Sequence, residues 1–370
     1  MMLPLGVNGY SADEVKRELH AVDGTRRVEF IYRLLNRENV RIGTLEVIGG
    51  TVDMSSMAAV KRSARFTIKE DKGVDWLNDR IQPVFRLGMP DGGYAEWPLG
   101  VFLMSSPARK DTGGGITRDV TAYDSCVILE KDRFLDRYVI QAGTNYISAI
   151  NAILISADVG YALITANSGE LSTAREFEGG TSKLAAINTL FSEINYTDIW
   201  ADENGRLRAS PYILPYYADS EYSYRSDETS IMLPEPVNEF DLFDVPNKWV
   251  VSASSPDAEP LMSIFVNDRL TSLTSTINRG RTISQYHTVN NIVDQATLDN
   301  YARRLAYEDS AVFDVMRFET AVMPHHSYHS NLFLEHNAFD MASRFQEVSW
   351  SMPLDAMQAM RHEARRVILL

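Results

Sequence analysis

The stretch that decides the fold runs Trp76-Leu77-Asn78-Asp79-Arg80, Val84-Phe85-Arg86-Leu87-Gly88, Met89-Pro90-Asp91-Gly92-Gly93, Trp97-Pro98-Leu99-Gly100-Val101-Phe102 and, past Gly113-Gly114-Gly115, Ile116 to Asp124. Short apolar runs alternate here with turn chemistry. Pro90 sets one φ, and the glycines after it accept the positive φ of a tight turn. No Lys-Ser or Lys-Thr follows the triple glycine, so it reads as a hairpin tip instead of a phosphate loop. The stretch predicts antiparallel strands, with Lys110 to Gly115 at an exposed tip.

Outward from it the β pattern extends from Val28 to Phe134. Ala64-Arg65-Phe66-Thr67-Ile68-Lys69 alternates with period two, and Leu45 to Asp53 reads as a strand interrupted at Gly49-Gly50. Upstream, residues 11 to 22 form a helix: Ser11 is the N-cap, Glu14 completes a capping box, and Tyr10 faces Val15 as a staple.

Downstream the period changes. Gly143-Thr144-Asn145-Tyr146-Ile147-Ser148-Ala149-Ile150-Asn151 returns as Gly180-Thr181-Ser182-Lys183-Leu184-Ala185-Ala186-Ile187-Asn188. Each copy predicts a helix capped by its Thr. Asn204-Gly205, between Ile199 to Asp202 and Arg206 to Ala209, marks a hairpin. Residues 211 to 239, rich in proline, tyrosine and acid, suit a surface connection between modules. Strands then resume at Lys248 to Ser252 and Ile264 to Val266. A helix follows, with Val293 as staple and Asp294 as N-cap. Further strands fall at Met316 to Val322, Glu347 to Met352 and His362 to Leu369.

At 370 residues the chain has room for two or three domains, and 45% hydrophobic with 23% charged residues is a globular composition. Its net charge of −14 disfavours nucleic-acid recognition, since Lys61-Arg62, Arg279-Gly280-Arg281 and Arg365-Arg366 are short, scattered basic pieces. They suit subunit contacts through bidentate guanidinium bonds. Cys126 is the single cysteine, which excludes an internal disulfide and a cysteine zinc site. Met1 to Val7 lacks the features of a signal peptide, and no run reaches membrane-spanning length.

The most enzyme-like cluster is His325-His326-Ser327-Tyr328-His329 after Met323-Pro324, with His336 nearby. Clustered imidazoles can ligate zinc, yet no metallohydrolase spacing is present and Pro324 disfavours a common helix face. Solvated histidines in a turn between two strands are the simpler reading. The carboxylate pairs Asp241 and Asp244, and Glu308 and Asp309, offer acid and base groups with nothing nearby to raise a pKa. Cys126, beside apolar Val127-Ile128-Leu129, reads as a buried inert thiol. No catalytic, metal or cofactor residue is assigned.

Collinear segments across nearly the whole chain resemble the tail-hub proteins of long-tailed, siphovirus-type bacteriophages and prophages. These are Trp76 to Ile81, Met89 to Gly93, Pro98 to Phe102, Thr117 to Asp124, Gly180 to Leu184, Asp241 to Trp249, Thr276 to Thr282 and Met360 to Val367. The resemblance implies an α+β, mainly β chain with two tail-tube-like antiparallel β-barrel or sandwich domains around a smaller α/β domain. On that plan residues 1–24 are an extension with a helix, 25–136 the first β domain, 137–234 the middle domain, and 235–370 the second β domain including helix 294–310.

The same resemblance implies a non-enzymatic virion protein without cofactors, made in the bacterial cytoplasm and placed at the distal end of the tail. It would be a homotrimeric hub that adapts the sixfold tube to a threefold tip and anchors the adhesion apparatus. Its partners would be a distal tail or tube protein, a tape-measure protein and tail fibres or receptor-binding proteins. DNA would pass without specific binding. With the chain stopping at Leu370, an added C-terminal activity is not expected. Two alternatives remain open: a metal-dependent cell-wall hydrolase using His325, His326 and His329, and a host-carbohydrate-binding module using the tyrosines from Tyr212 to Tyr224.

Overall fold

The computed structural model describes residues 2–367 apart from positions 23, 72, 106, 107, 114, 160, 161, 228, 229, 241, 256, 257, 291, 293, 312 and 313. The expectations for Gly114, Asp241, the Val293 staple and the end of the last strand lie outside the described residues.

The deciding stretch folds as hairpins. Arg80–Gly88 pairs antiparallel with Tyr94–Pro98 around Met89–Gly93, where Gly92 takes φ +87° and donates its N–H to the Met89 carbonyl at 3.0 Å. Ala108–Asp111 pairs antiparallel with Ile116–Tyr123, and every residue of the first of these strands is exposed. In Arg62–Lys69 burial follows the predicted alternation, with Ala64, Phe66 and Ile68 inside. The Gly49-Gly50 interruption is a register shift, and a Cβ on Gly50 would lie 2.2 Å from the Arg65 carbonyl oxygen.

The chain is α+β and mainly β, but its strands do not close into barrels. Val47–Ser55 pairs on one side with Arg62–Lys69; on its other side it pairs with the far end of Met341–Pro353, from Ser349 opposite Ser55 to Pro353 opposite Thr51. That edge is thereby used to join the early strands to the late ones. A single open 15-stranded sheet results, its path ending at Arg41–Thr44 and Val237–Phe240. One apolar core spans the join, containing Phe66, Trp97 and Phe102 from the early strands and Leu332, Phe345 and Trp350 from the late ones. Each such side chain, fully buried, contributes roughly 1.5–3 kcal/mol.

The first helix is Ala12–Leu19, with the expected Ser11–Glu14 capping box, and buries Val15 and Leu19 in that core. Its segment bridges both halves. Leu3 N–H donates to the His325 carbonyl at 2.8 Å, while Trp97 Nε1 donates to the Pro4 carbonyl at 3.0 Å.

The internal repeat forms two helices, Tyr146–Ser156 and Lys183–Glu193, around a second core that includes Ile150, Leu154, Ile187 and Phe191. Their caps are Asn145 and Ser182, not Thr144 and Thr181. The cap oxygen must reach the N–H three residues on, which Asn145 Oδ1 does to Ser148 at 3.1 Å and Ser182 Oγ to Ala185 at 3.2 Å. Each Thr lies one residue too early, after a glycine of positive φ.

One further segment differs from the sequence reading. Tyr222–Arg225, read as surface connection, is a strand paired in parallel with Asn331–His336, and its Tyr222 and Tyr224 are buried. Residues 248–311 build their own three-stranded sheet, with Lys248–Ser255 between antiparallel Ala258–Val266 and parallel Ser284–Asn290. Helix Gln295–Ala311, capped by Asp294 Oδ1 on the Thr297 N–H at 2.8 Å, covers it and packs Leu298 and Ala302 on Val251 and Ala253.

Candidate functional site

A cluster of buried ionisable side chains, His326, Glu347 and His362, lies at the join of the early and late strands. The turn after Asp314–Ala321 carries the histidine cluster, but His325 and His326 are only 1% and 2% exposed, which corrects the expectation that they are solvated. The N-terminal segment and Tyr222–Arg225 cover the turn: Leu3 bonds the His325 backbone, and the Tyr222 ring lies 4.5 Å from the His325 ring.

His326 is brought to residues that no local pattern connects to it. Its Nδ1 lies 2.7 Å from Glu347 Oε2, and its Nε2 lies 2.5 Å from the Tyr224 hydroxyl. The other carboxylate oxygen, Oε1, is 2.7 Å from Nδ1 of His362, whose Nε2 is 2.8 Å from Thr320 Oγ1. Glu347 points inward at the irregularity in register between Glu347 and Ser349, and its N–H donates to the Ser330 carbonyl at 2.8 Å. His362 shares the inward face of Ala359–Arg366 with Met360 and Ala364.

Both oxygens of Glu347 can accept only if each ring carries its proton on Nδ1. That leaves Nε2 of His326 to accept from the Tyr224 hydroxyl, whereas the single proton of the Thr320 hydroxyl has the Ala321 carbonyl at 2.8 Å as a second acceptor beside His362 Nε2. Burial supports neutral rings, pushing His326 down to about 3 and His362 down to about 4, the latter opposed by its bond to Glu347. Burial also pushes the Glu347 carboxyl up, against the hydrogen bond from His362.

His326, Glu347 and His362 place three potential ligand atoms within 4.8 Å of one another. Their fit to a metal is poor. The 2.7 Å separations are hydrogen bonds, shorter than the ~3.3 Å ligand-to-ligand edge implied by tetrahedral zinc bonds of about 2.0–2.1 Å. The donor atoms are already engaged and their side chains fully buried, so a substrate has no access. The group forms a sealed hydrogen-bond network that ties Tyr222–Arg225, the turn and three late strands together.

His325 does not join it through a hydrogen bond, and both its ring nitrogens are buried without a hydrogen-bond partner. His329 takes φ +52° and stacks on Tyr328 with centroids 4.0 Å apart, and His336 lies against Phe339 at 4.6 Å. The trio of His325, His326 and His329 proposed for hydrolysis is therefore not one site. Glu347, His362 and Thr320 escaped the sequence reading as site residues, and Tyr224 was read as a surface carbohydrate contact. Their available signal was ionisable or hydroxyl side chains in the inward phase of apolar strands.

The remaining candidates serve packing. Arg62 is buried: Nη1 donates to the Leu99 carbonyl at 2.9 Å, and Nη2 to Ser327 Oγ at 3.0 Å. Lys61, also buried, pairs with Asp198 at 2.9 Å. These two join parts of one chain, which corrects their assignment to subunit contacts. Arg279 and Arg281 both donate to the Phe243 carbonyl at 2.9 Å, and Arg366 pairs with Asp314 at 3.1 Å. Glu308 and Asp309 diverge, to Arg304 at 2.8 Å and to Trp249 Nε1 at 2.8 Å. Cys126 is fully buried, and burial beside Asp124 pushes its thiol up. Of the tyrosines proposed for carbohydrate, Tyr222 and Tyr224 are inside the core, while Tyr212, Tyr216 and Tyr217 line an open groove of about 860 Å³.

In sequence, the chain matches no protein-family model and no curated protein. In structure it is similar to a tail protein from Neisseria meningitidis MC58, with a TM-score of 0.63 and 11% identity over 91% of this chain and 96% of that one. A 43 kDa tail protein of prophage MuSo2 from Shewanella oneidensis gives 0.62 and 8% identity, covering 91% of this chain and 98% of its own. Prophage tail protein gp18 from Listeria monocytogenes EGD-e gives 0.56 and 12% identity, covering 91% and 94%. The chain has the fold of these phage and prophage tail proteins over nearly its whole length.

Proposed function

We propose that the chain is a structural component of a phage or prophage tail, acting as a homotrimeric hub at the distal end. In this reading it ends the tail tube, holds the adhesion apparatus and lets DNA pass at infection, without catalysis. The division into a first β domain, a middle domain and a second β domain belongs to the same proposal.

The observation that carries the reading is the near-complete fold likeness to tail proteins, 91% of this chain against 94–98% of theirs. It is supported by the strand pairing that joins early and late β strands across Thr51–Ser55 and Ser349–Pro353. Two β units fixed rigidly in one subunit would let three subunits present six units to a sixfold tube. The net charge of −14 agrees with a channel to which DNA does not adhere, since phosphate binding requires lysine and arginine. The neighbours in this reading are a distal tail or tube protein, a tape-measure protein and fibres or receptor-binding proteins.

Electron microscopy of the particle carrying the chain, with a gold-labelled tag at the exposed Asp111–Gly113 turn, tests the proposal. Three copies around an axial channel at the distal end are expected. Label at the head, along the tail shaft or in another copy number overturns it.

A further inference from the structure

Two buried polar atoms without a hydrogen-bond partner among the described residues lie beside one groove. The groove of about 860 Å³ lies where residues 194–217 of the middle unit face helix Gln295–Ala311, and its size suits a ligand of several rings. Tyr307 and Asn195 both line it; the Tyr307 hydroxyl and Asn195 Oδ1 are buried there without any hydrogen-bond partner. Asn195 also holds a left-handed backbone, φ +54°. A buried polar atom without a partner costs about 1–3 kcal/mol, and a ligand that bonds it recovers that loss.

The rest of the lining indicates which ligand. Tyr212 and Tyr216 are half-buried beneath guanidinium groups, Arg304 at 4.3 Å and Arg344 at 5.2 Å from the ring centroids, so their rings are held in place. Tyr217 stands 73% exposed at the rim. Aromatic faces suit the C–H faces of sugar rings, and Asn195 Oδ1 requires a donor such as a sugar hydroxyl. Arg269 and Arg303, both exposed in the lining, form no ion pair among the described residues. Among the described residues no carboxylate lines the groove, and Asp299 acts on Arg303 only from along the same helix, so the two arginines supply cationic donors to the groove. A purely anionic ligand would leave the Asn195 acceptor unused, and a neutral one would leave the arginines unused.

We infer that this groove binds an acidic oligosaccharide, with rings against the tyrosines, hydroxyls on Asn195 and Tyr307, and a carboxylate reaching Arg303 or Arg269. This adds a ligand site to the structural role and does not depend on the oligomeric state.

Titration calorimetry of the full chain with tetragalacturonate tests it, beside the neutral chitotetraose, inorganic phosphate and a hexaglutamate peptide. Tetragalacturonate should bind more tightly than the other three. Tyr217→Ala and Arg303→Gln, both exposed positions with little bearing on folding, should each weaken it about tenfold at unchanged melting temperature. Equal or tighter binding of hexaglutamate would assign the groove to an acidic protein segment and overturn the saccharide. Equal binding of phosphate, no binding at 10 mM saccharide (roughly −2.7 kcal/mol or weaker), or binding indifferent to both substitutions overturns it as well.

Discussion

The junction around Glu347 and the groove around Tyr307 are both rich in polar and aromatic side chains, yet they are built on opposite principles. At the junction the Glu347 carboxylate meets a histidine on each oxygen, and those side chains are sealed from solvent. In the groove, buried polar atoms lack partners and the space beside them is open. The difference teaches that a cluster of chemically capable residues is a functional candidate when its valences are unmet beside open space. When they are met and enclosed, it is part of the fold.

Breaking the junction should have the largest effect. His326→Leu leaves Glu347 Oε2 and the Tyr224 hydroxyl buried without their shared partner. It should destabilise the chain by about 3–5 kcal/mol in denaturant unfolding. A loss below ~1 kcal/mol would mean that the network carries little of the join.

Acid should have a smaller but specific effect. His326 and His362 titrate at about 3 and about 4 when folded, below the ordinary histidine value, so the unfolded chain takes up their protons first. Their contribution is complete above about pH 6.5 and is lost as pH falls below it. Glu347 acts in the opposite sense, because its raised folded pKa lets the folded chain take a proton before the unfolded one does. From pH 7 to 5.5 the two histidines together should remove about 2 kcal/mol of stability, read from urea midpoints at each pH. His362→Phe should roughly halve that slope; an unchanged slope would place the acid sensitivity elsewhere.

The smallest effect sharpens the contrast within the junction itself. His325 adjoins His326, its ring 4.8 Å away, but its nitrogens have no partners. His325→Leu removes no hydrogen bond made by the side chain, so thermal unfolding should register a change within about 1 kcal/mol, with either sign. A loss as large as that of His326→Leu would show that the two neighbours act as one unit.

Much of the fold was legible locally. The Ser11 capping box, the Asn204-Gly205 turn and the alternation of Ala64, Phe66 and Ile68 each depend on residues a few positions apart, and all three appear as read. The misplaced Thr144 and Thr181 caps failed by a single residue, because a glycine turn before each helix delays its start. The candidate sites were far less legible. The histidine turn was located correctly but read as solvated, because what buries it comes from Leu3 and Tyr222.

The sequence by itself determined the kinds and order of the elements, the positions of the main turns and the broad class of a mainly β chain with a helical middle. Their causes are short-range: φ preferences, cap geometry and the period of apolar residues. Only the tertiary structure decided that the early and late strands form one open sheet, and which polar residues are sealed and which remain available. Those outcomes depend on contacts such as Tyr224 with His326, 102 residues apart, and Arg62 with Ser327, 265 apart. Burial and hydrogen-bond satisfaction are properties of such long-range neighbourhoods, which no local pattern contains.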